Sequence, residues 1–365
     1  MKIGISLLNY RPGSVGGIET YIEKLVEHFA GAQWGHELSF IAGPEVAALL
    51  PEDAGRQTMA LSSRGAIAAR CLEAFTPWRA RRIAKEIDTA GYDVVFFPQQ
   101  SIFPLEIKTP AVLTVVDLQH RHHPEHYALF DRCFRRAIYP PSLRRSTKII
   151  AISDVTKTDL VETCGVAPDK IDVVHMGFDG HGTEPPSTTG QRLVDAPYFY
   201  YPAATFPHKG HADLLRCFAH LKASSGSAVK LVFSGMQTPL WKRLARQIRH
   251  LGLEGEVYHM GFVSYSEVIA LYRGAEAVLF PTRFEGFGMP VLEAVRYGKP
   301  IFCSNLPIFD ELGVPRQNQI DFSEERALEG IMERLTPTVL LIEPITWEAC
   351  AKKTLQVVAA ACRRG

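Results

Sequence analysis

No run of eighteen apolar residues occurs anywhere in the sequence, so nothing in it reads as a helix that crosses a bilayer. C-x-x-C pairs are missing too. The seven cysteines, Cys71, Cys133, Cys164, Cys217, Cys303, Cys350 and Cys362, are odd in number and scattered, which leaves no zinc or redox-dithiol pattern and reads as reduced thiols. Net charge is nearly absent: forty Lys and Arg face thirty-nine Asp and Glu, and a balance of +1 makes no global field that would draw nucleic acid. A dinucleotide fingerprint is missing as well, since "NYRPGSVGGIE" does not fit G-x-G-x-x-G, and a nicotinamide-dependent dehydrogenase is a poor reading. The opening "MKIGISLLNYRPG" has an apolar run too short for a signal peptide, so the expected location is the cytoplasm.

What is present is an ordinary globular composition, 46% hydrophobic and 22% charged over 365 residues, a length that suits two domains. Short continuous apolar runs recur: "KIGISLL", "ELSFIAG", "DVVFFPQ", "AVLTVVD", "KIIAIS" and "KIDVVHM". Continuous rather than alternating runs suit strands buried on both faces of a parallel sheet, with amphipathic helices as crossovers. After a stretch rich in Gly, Pro, Ser and Thr the pattern restarts with "YFYYPA", "VKLVFSG", "EVYHMGF", "AVLFP" and "PIFCSN". The expected fold class is α/β, two doubly wound Rossmann-like domains facing across a cleft: residues 1–180, a linker at 181–191, residues 192–345, and a final helix over 346–365 returning to the first domain. Ser264 and Glu267 predict a capping box, and Trp347, Ala351, Leu355 and Val358 an apolar stripe on the last helix.

Ligands of doubly wound folds bind at strand ends, which directs attention to "FEGFGMPVLEA". "AVLFP" ends a strand and Pro290 suits a helix's first position, so Glu285, Gly286, Phe287 and Gly288 occupy the turn between them. Glycines allow close backbone approach, and the free N–H groups of a helix start suit a phosphate. Glu293 falls on the first turn of that helix among apolar residues. It either accepts hydrogen bonds from a ribose diol or complements the helix dipole at a solvated position, and Glu285 either binds sugar hydroxyls or is a loop charge.

"EGFGMPVLE" resembles the E-x7-E motif of the retaining glycosyltransferases of family four, which have the two-Rossmann-domain GT-B fold and use nucleotide-sugar donors. The resemblance implies that Glu285 contacts the donor sugar, that Glu293 holds the ribose, and that the backbone from Gly286 through Phe287 and Gly288 to Met289 faces sugar and diphosphate. It extends over nearly the whole chain. "SVGGIETYIEKLVEHF" resembles the N-terminal glycine loop, with Gly16 and Gly17 near the donor phosphates and the acceptor. "PAATFPHKGHADLLRCF" resembles the phosphate-binding segment, with Lys209 as the lysine that reaches the diphosphate, and "TWEACAKKTLQV" the returning helix. Two positions depart from the pattern: Ala204 stands where many relatives have a second phosphate-binding arginine, and Val116 where many have a histidine. Arg283, which reads equally as a surface charge, and His120 are the nearest substitutes, and His120 or Asp117 could orient the acceptor hydroxyl.

No D-x-D triplet is present, so metal-independent transfer is expected and no metal or other cofactor is assigned, although "HRHHPEH" invites a metal reading for His120, His122, His123 and His126. Front-face transfer with retention is implied by the resemblance, from GDP-mannose or a UDP-sugar to a saccharide or lipid-linked saccharide in polysaccharide assembly. A nucleotide-sugar epimerase and a non-catalytic sugar-nucleotide sensor remain alternatives. From Leu61 to Lys148 there are fourteen Lys or Arg against eight Asp or Glu, and "TPWRARRIAKEI" reads either as a basic amphipathic helix docking at the inner face of a membrane or as an ordinary solvated helix.

Overall fold

The apolar runs form strands because each is buried along its length. The computed structural model describes residues 1–10, 17–32, 34–50, 58–60, 77–178 and 194–362. They divide into two compact units, one joining Met1–Phe178 with Ile345–Gly365 and the other Asp179–Pro344. The expected linker at 181–191 lies outside the described residues.

In the first unit β1 (Lys2–Ser6), β2 (Glu37–Ala42), β3 (Thr58–Ala60), β4 (Val94–Phe97), β5 (Ala111–Val115), β6 (Lys148–Ala151) and β7 (Ile171–Val173) make one sheet in the order β3-β2-β1-β4-β5-β6-β7. Every pair is parallel. All positions of β4, β5 and β6 are buried, as a sheet covered on both faces requires. The edge strand β3 was not expected; "TMA" is too short to stand out as an apolar run.

The second unit holds β8 (Tyr198–Pro202), β9 (Lys230–Ser234), β10 (Val257–His259), β11 (Ala277–Phe280), β12 (Ile301–Ser304) and β13 (Gln319–Ile320), again all parallel, in the order β10-β9-β8-β11-β12-β13. In each sheet the chain fills one side first and then returns to the other. The direction of winding reverses between β1 and β4 in one unit and between β8 and β11 in the other. At such a reversal the loops leaving the two strands diverge and open a crevice at their carboxyl ends.

Helix Gly17–Gly31 buries Tyr21, Ile22, Leu25, Val26 and Phe29. The last helix, Trp347–Ala361, belongs to this same unit, with Trp347, Ala351, Leu355 and Val358 buried and Thr346 capping it through the Ala349 N–H. Its Trp347 ring lies 6.3 Å from that of Tyr21, and the Phe178 N–H donates to the Ile345 carbonyl at 2.8 Å. A Cβ at Gly177 would come within 2.6 Å of the Trp347 ring, so only glycine fits where this helix docks. The capping box of Ser264 and Glu267 is formed in full. In helix Pro77–Thr89 the apolar stripe, Ala80, Ile83, Ala84 and Ile87, is buried in the core, while Arg81 and Arg82 pair with Glu106 and Glu86. The basic face of that helix is therefore solvated, and its apolar face is already covered.

Candidate functional site

The two loops at the reversal of the second sheet carry the residues singled out above. The loop after β8 runs through a short 3-10 turn, Pro207–Lys209, to Gly210, where the chain takes a left-handed conformation (φ 68°) before helix His211–Ser225. A Cβ on Gly210 would overlap the Pro281 carbonyl oxygen and approach the carbonyl carbon to 3.0 Å. Glycine is thus required twice, for its φ and for the space. The contact lets the loop after β8 lie against the loop after β11. Two hydrogen bonds stitch them, both to the His208 carbonyl: the Arg283 N–H donates to it at 2.7 Å and the Thr282 hydroxyl at 3.4 Å. The Tyr201 hydroxyl donates to the Lys209 carbonyl at 2.7 Å, fixing the lysine's backbone to the buried end of β8.

This scaffold brings Lys209 to Glu285. Nζ lies 2.7 Å from Oε2, with both side chains mostly buried, and the ammonium also sits 5.7 Å from the centre of the Phe280 ring. A lysine and a glutamate separated by 76 positions thus share one spot at the sheet's crevice.

Glu293 lies on helix Met289–Arg296, whose N-cap is Gly288 (φ 95°) with Pro290 in its first turn. The helix begins at Met289, so Glu293 is its fifth residue rather than part of the first turn, and no acidic residue occupies that turn. The residue keeps some accessible surface, but protein encloses its carboxyl group. Burial raises its pKa, against the lowering pull of the Tyr272 hydroxyl and of Arg296. Tyr272, itself buried, donates to Glu293 Oε2 at 2.5 Å. The reading of Glu293 as a solvated dipole partner is therefore overturned. A carboxyl held in protein by one phenol retains capacity to accept further hydrogen bonds.

Beneath Lys209, His211 is 1% exposed, its ring 4.7 Å from that of Tyr201 and 5.0 Å from that of Phe233. Burial lowers its pKa to about 3, with His259 and Lys209 adding to the effect and a hydrogen bond to the Ala203 backbone opposing it. It therefore stands neutral.

Arg283, the nearest substitute for the cation missing at Ala204, is engaged with a carboxylate, as Lys209 is. It pairs with Asp213, which is 4% exposed and also holds Arg216. Gly286, Phe287, Gly288 and Met289 form the turn and helix start as expected, with Phe287 buried.

In the first unit, Gly17 opens helix Gly17–Gly31 at an exposed position, and Gly16 lies outside the described residues. Asp117 accepts the Gln119 N–H at 3.0 Å through its carboxylate, and the Asp117 carbonyl accepts from Gln100. His120 packs edge-on against Tyr139 with centroids 4.8 Å apart. Burial, then the charges of Arg135 and Arg121, lowers its pKa to about 4, so it too is neutral. Of the four histidines of "HRHHPEH", His123 and His126 converge with Glu125, one ligand atom of each within 4.8 Å of the others, and His120 and His122 do not join them. His122 bonds Asp159 at 2.7 Å, while His123 and His126 stack at 5.0 Å beside Glu125. Among the described cysteines all six are free thiols.

Three residues of this arrangement were not singled out from sequence. Tyr272 had no local signal, because it reads as one more apolar position of helix Tyr265–Gly274. Asp213, an acid in the first turn of its helix, carries no local signal of its burial. Gly210 was detectable, since a glycine between Lys209 and a helical pattern marks a turn.

Residues 15–180 match the family described as "Glycosyltransferase Family 4", and residues 190–354 match "Glycosyl transferases group 1". The chain belongs to the family 4 glycosyltransferases. It is 22% identical over 366 residues to O-antigen chain mannosyltransferase B of Escherichia coli, a match covering 93% of this chain and 94% of that protein. To O-antigen chain mannosyltransferase RfbU of Salmonella typhimurium it is 25% identical over 223 residues, 61% of this chain and only 60% of the relative's length. The fold resembles that of Anabaena HepE, solved with UDP and glucose, at a TM-score of 0.66 and 21% identity over 100% of this chain and 95% of that one. The two Rossmann-like units are those of the GT-B architecture, and this glycosyltransferase has no described helix long and apolar enough to cross a membrane.

Proposed function

We infer that this glycosyltransferase moves a hexosyl unit, mannosyl in the manner its relatives are named for, from a nucleotide sugar to a saccharide or lipid-linked saccharide acceptor, with retention and without a metal. GDP-mannose is the donor of first choice and UDP-sugars the second. The observation that carries this reading is the Lys209–Glu285 pair at the strand reversal, with Glu293 enclosed in protein on the helix that leaves the same loop.

Each group has a task that its chemistry suits. The Lys209 ammonium and the N–H groups at the start of helix Met289–Arg296 offset the charge that grows on the departing diphosphate. Glu285, held by Lys209, accepts hydrogen bonds from sugar hydroxyls and fixes the sugar over the loop. Glu293 accepts from the ribose diol. In the front-face path the bond from the anomeric carbon to the phosphate oxygen breaks while the bond to the acceptor oxygen forms on the same side. The acceptor proton passes to the leaving phosphate oxygen. The protein's part is placement and electrostatics, so no carboxylate nucleophile is needed.

The sensor alternative has one observation in its favour, Arg283 held by Asp213 rather than offered to a phosphate. One experiment separates the readings: incubation with GDP-mannose and UDP-sugars, with and without a saccharide acceptor, following nucleoside diphosphate release and sugar products. Transfer that falls at least a hundredfold in Glu285→Ala supports the proposal. Tight donor binding with no turnover supports the sensor, and a new sugar isomer formed from donor alone supports an epimerase.

A further inference from the structure

The cationic excess of the first unit is not spread evenly over its surface. Helix Leu129–Arg145, the short helix Gln119–His122 and the segment 164–170 enclose a cavity of about 740 Å³. Its wall presents Arg121, Arg132, Arg135, Arg136, Arg144 and Lys170, and no carboxylate lines it. Arg132, Arg135 and Arg136 share one face of their helix because positions three and four apart are neighbours on a helical surface.

Among the described residues none of these six cations is paired with an Asp or Glu. Their contacts are to neutral groups. Arg135 donates to the Tyr139 hydroxyl at 2.7 Å and lies 4.6 Å from the centre of the Tyr127 ring; Arg121 reaches the Thr163 carbonyl, and Lys170 the carbonyls of Leu143 and Arg144. Such contacts hold the charged heads in place without neutralising them. Two nearby acids are engaged elsewhere, Asp159 with His122 and Glu125 with His123 and His126. A concave wall of like charge with protein behind it focuses a positive potential into the space it encloses, and the empty state carries the repulsion.

Several guanidinium groups around one space suit a ligand with more than one negative charge and more oxygens than a carboxylate has, because each planar fork can take two phosphate oxygens. Leu129, which also lines the cavity, is 73% exposed and its neighbour Phe130 is 69% exposed, so two apolar side chains face solvent at the start of this helix. We propose that this cavity of the first unit binds the phosphate or diphosphate group of a phosphate ester. The ester is either soluble or the headgroup of a lipid, and its chemistry at the cavity is the same. This inference does not rest on the roles given to Glu285 and Glu293.

The test uses the full chain, the double variant Arg132→Ala/Arg136→Ala and, separately, Lys209→Ala. Arg132 and Arg136 are exposed on a helix in which alanine is at least as good a helix former, so the fold is expected to persist. Inorganic pyrophosphate, titrated by calorimetry at low salt, is expected to bind the wild type and Lys209→Ala, and to bind the double variant about tenfold or more weakly. GDP and UDP affinities and the melting temperature of the double variant should be unchanged. Equal pyrophosphate affinity in wild type and double variant, or its loss in Lys209→Ala alone, overturns the proposal.

Phosphatidylcholine vesicles with and without phosphatidic acid then identify the source. Sedimentation that requires phosphatidic acid, is lost in the double variant and is competed by pyrophosphate supports a lipid headgroup. Pyrophosphate binding without sedimentation supports a soluble ester.

Discussion

Replacing Gly210 by alanine tests whether the loop contact at the strand reversal is what holds the site together. Two costs are expected. The left-handed conformation at φ 68° is unfavourable for an L side chain by about 1–2 kcal/mol. The new Cβ would also overlap the Pro281 carbonyl, which is backbone and cannot rotate aside, so the loops must separate by on the order of 1 Å. Overpacking of this kind adds about 1–3 kcal/mol, giving a total of roughly 2–5 kcal/mol. The same separation pulls Lys209 from Glu285, and a misplacement of about 1 Å costs on the order of a hundredfold in rate.

Gly226 is the internal control. It ends helix His211–Ser225 at φ 61°, and a Cβ there meets nothing within 4 Å. Gly226→Ala should therefore show only the conformational cost of about 1–2 kcal/mol, with transfer unaffected. Urea unfolding gives the stabilities, and donor binding with turnover gives the function. If Gly210→Ala and Gly226→Ala lose the same stability and neither loses activity, the argument from loop contact is refuted.

Tyr272→Phe removes the hydroxyl that donates to Glu293, so the carboxyl's pKa should rise further, and nucleotide affinity should fall about tenfold. If the ribose diol bonds to the ionised form, as proposed, affinity should strengthen as pH rises through the elevated Glu293 pKa, and binding should release a proton. Calorimetry in buffers of different ionisation enthalpy measures that release, and a pH-independent affinity would disprove the assignment.

His211 gives an acid-side prediction. Its folded pKa of about 3 lies below the unfolded 6.5, so the unfolded chain binds the extra proton between those values. The stability from keeping it neutral is fully present above pH 6.5 and is lost as pH falls, by about 2 kcal/mol at pH 5. His211→Phe should flatten the pH dependence of urea unfolding between pH 7 and 5 by that amount, and an unchanged slope would count against a buried neutral imidazole.

The strands were largely readable. Continuous Val, Ile and Phe runs such as "DVVFF" and "AVLTVV" have few alternatives to a position buried on both faces of a parallel sheet, and a helix start was visible in Pro290 and in Ser264 with Glu267. The two strands that escaped, β3 and β13, are two or three residues long at sheet edges, where backbone pairing and not side-chain pattern makes the strand. Glu285, Lys209 and Glu293 could be named from "PHKG" and "EGFGMPVLE", yet their surroundings could not. Arg283 gave no sign of its pairing with Asp213, 70 positions away.

Residue order alone thus determined which segments become strands, where the turns and caps fall, and which side chains have sugar- and phosphate-binding chemistry. Periodicity, glycine and proline act over a few neighbours, so these are local effects. The strand order that reverses between β8 and β11, the Lys209–Glu285 pair, the phenol that shields Glu293 and the gathering of six cations around one cavity were decided by tertiary structure. Each joins groups far apart along the chain, and the contact exists only because burying the two sheets' apolar surfaces places their loops and helices side by side.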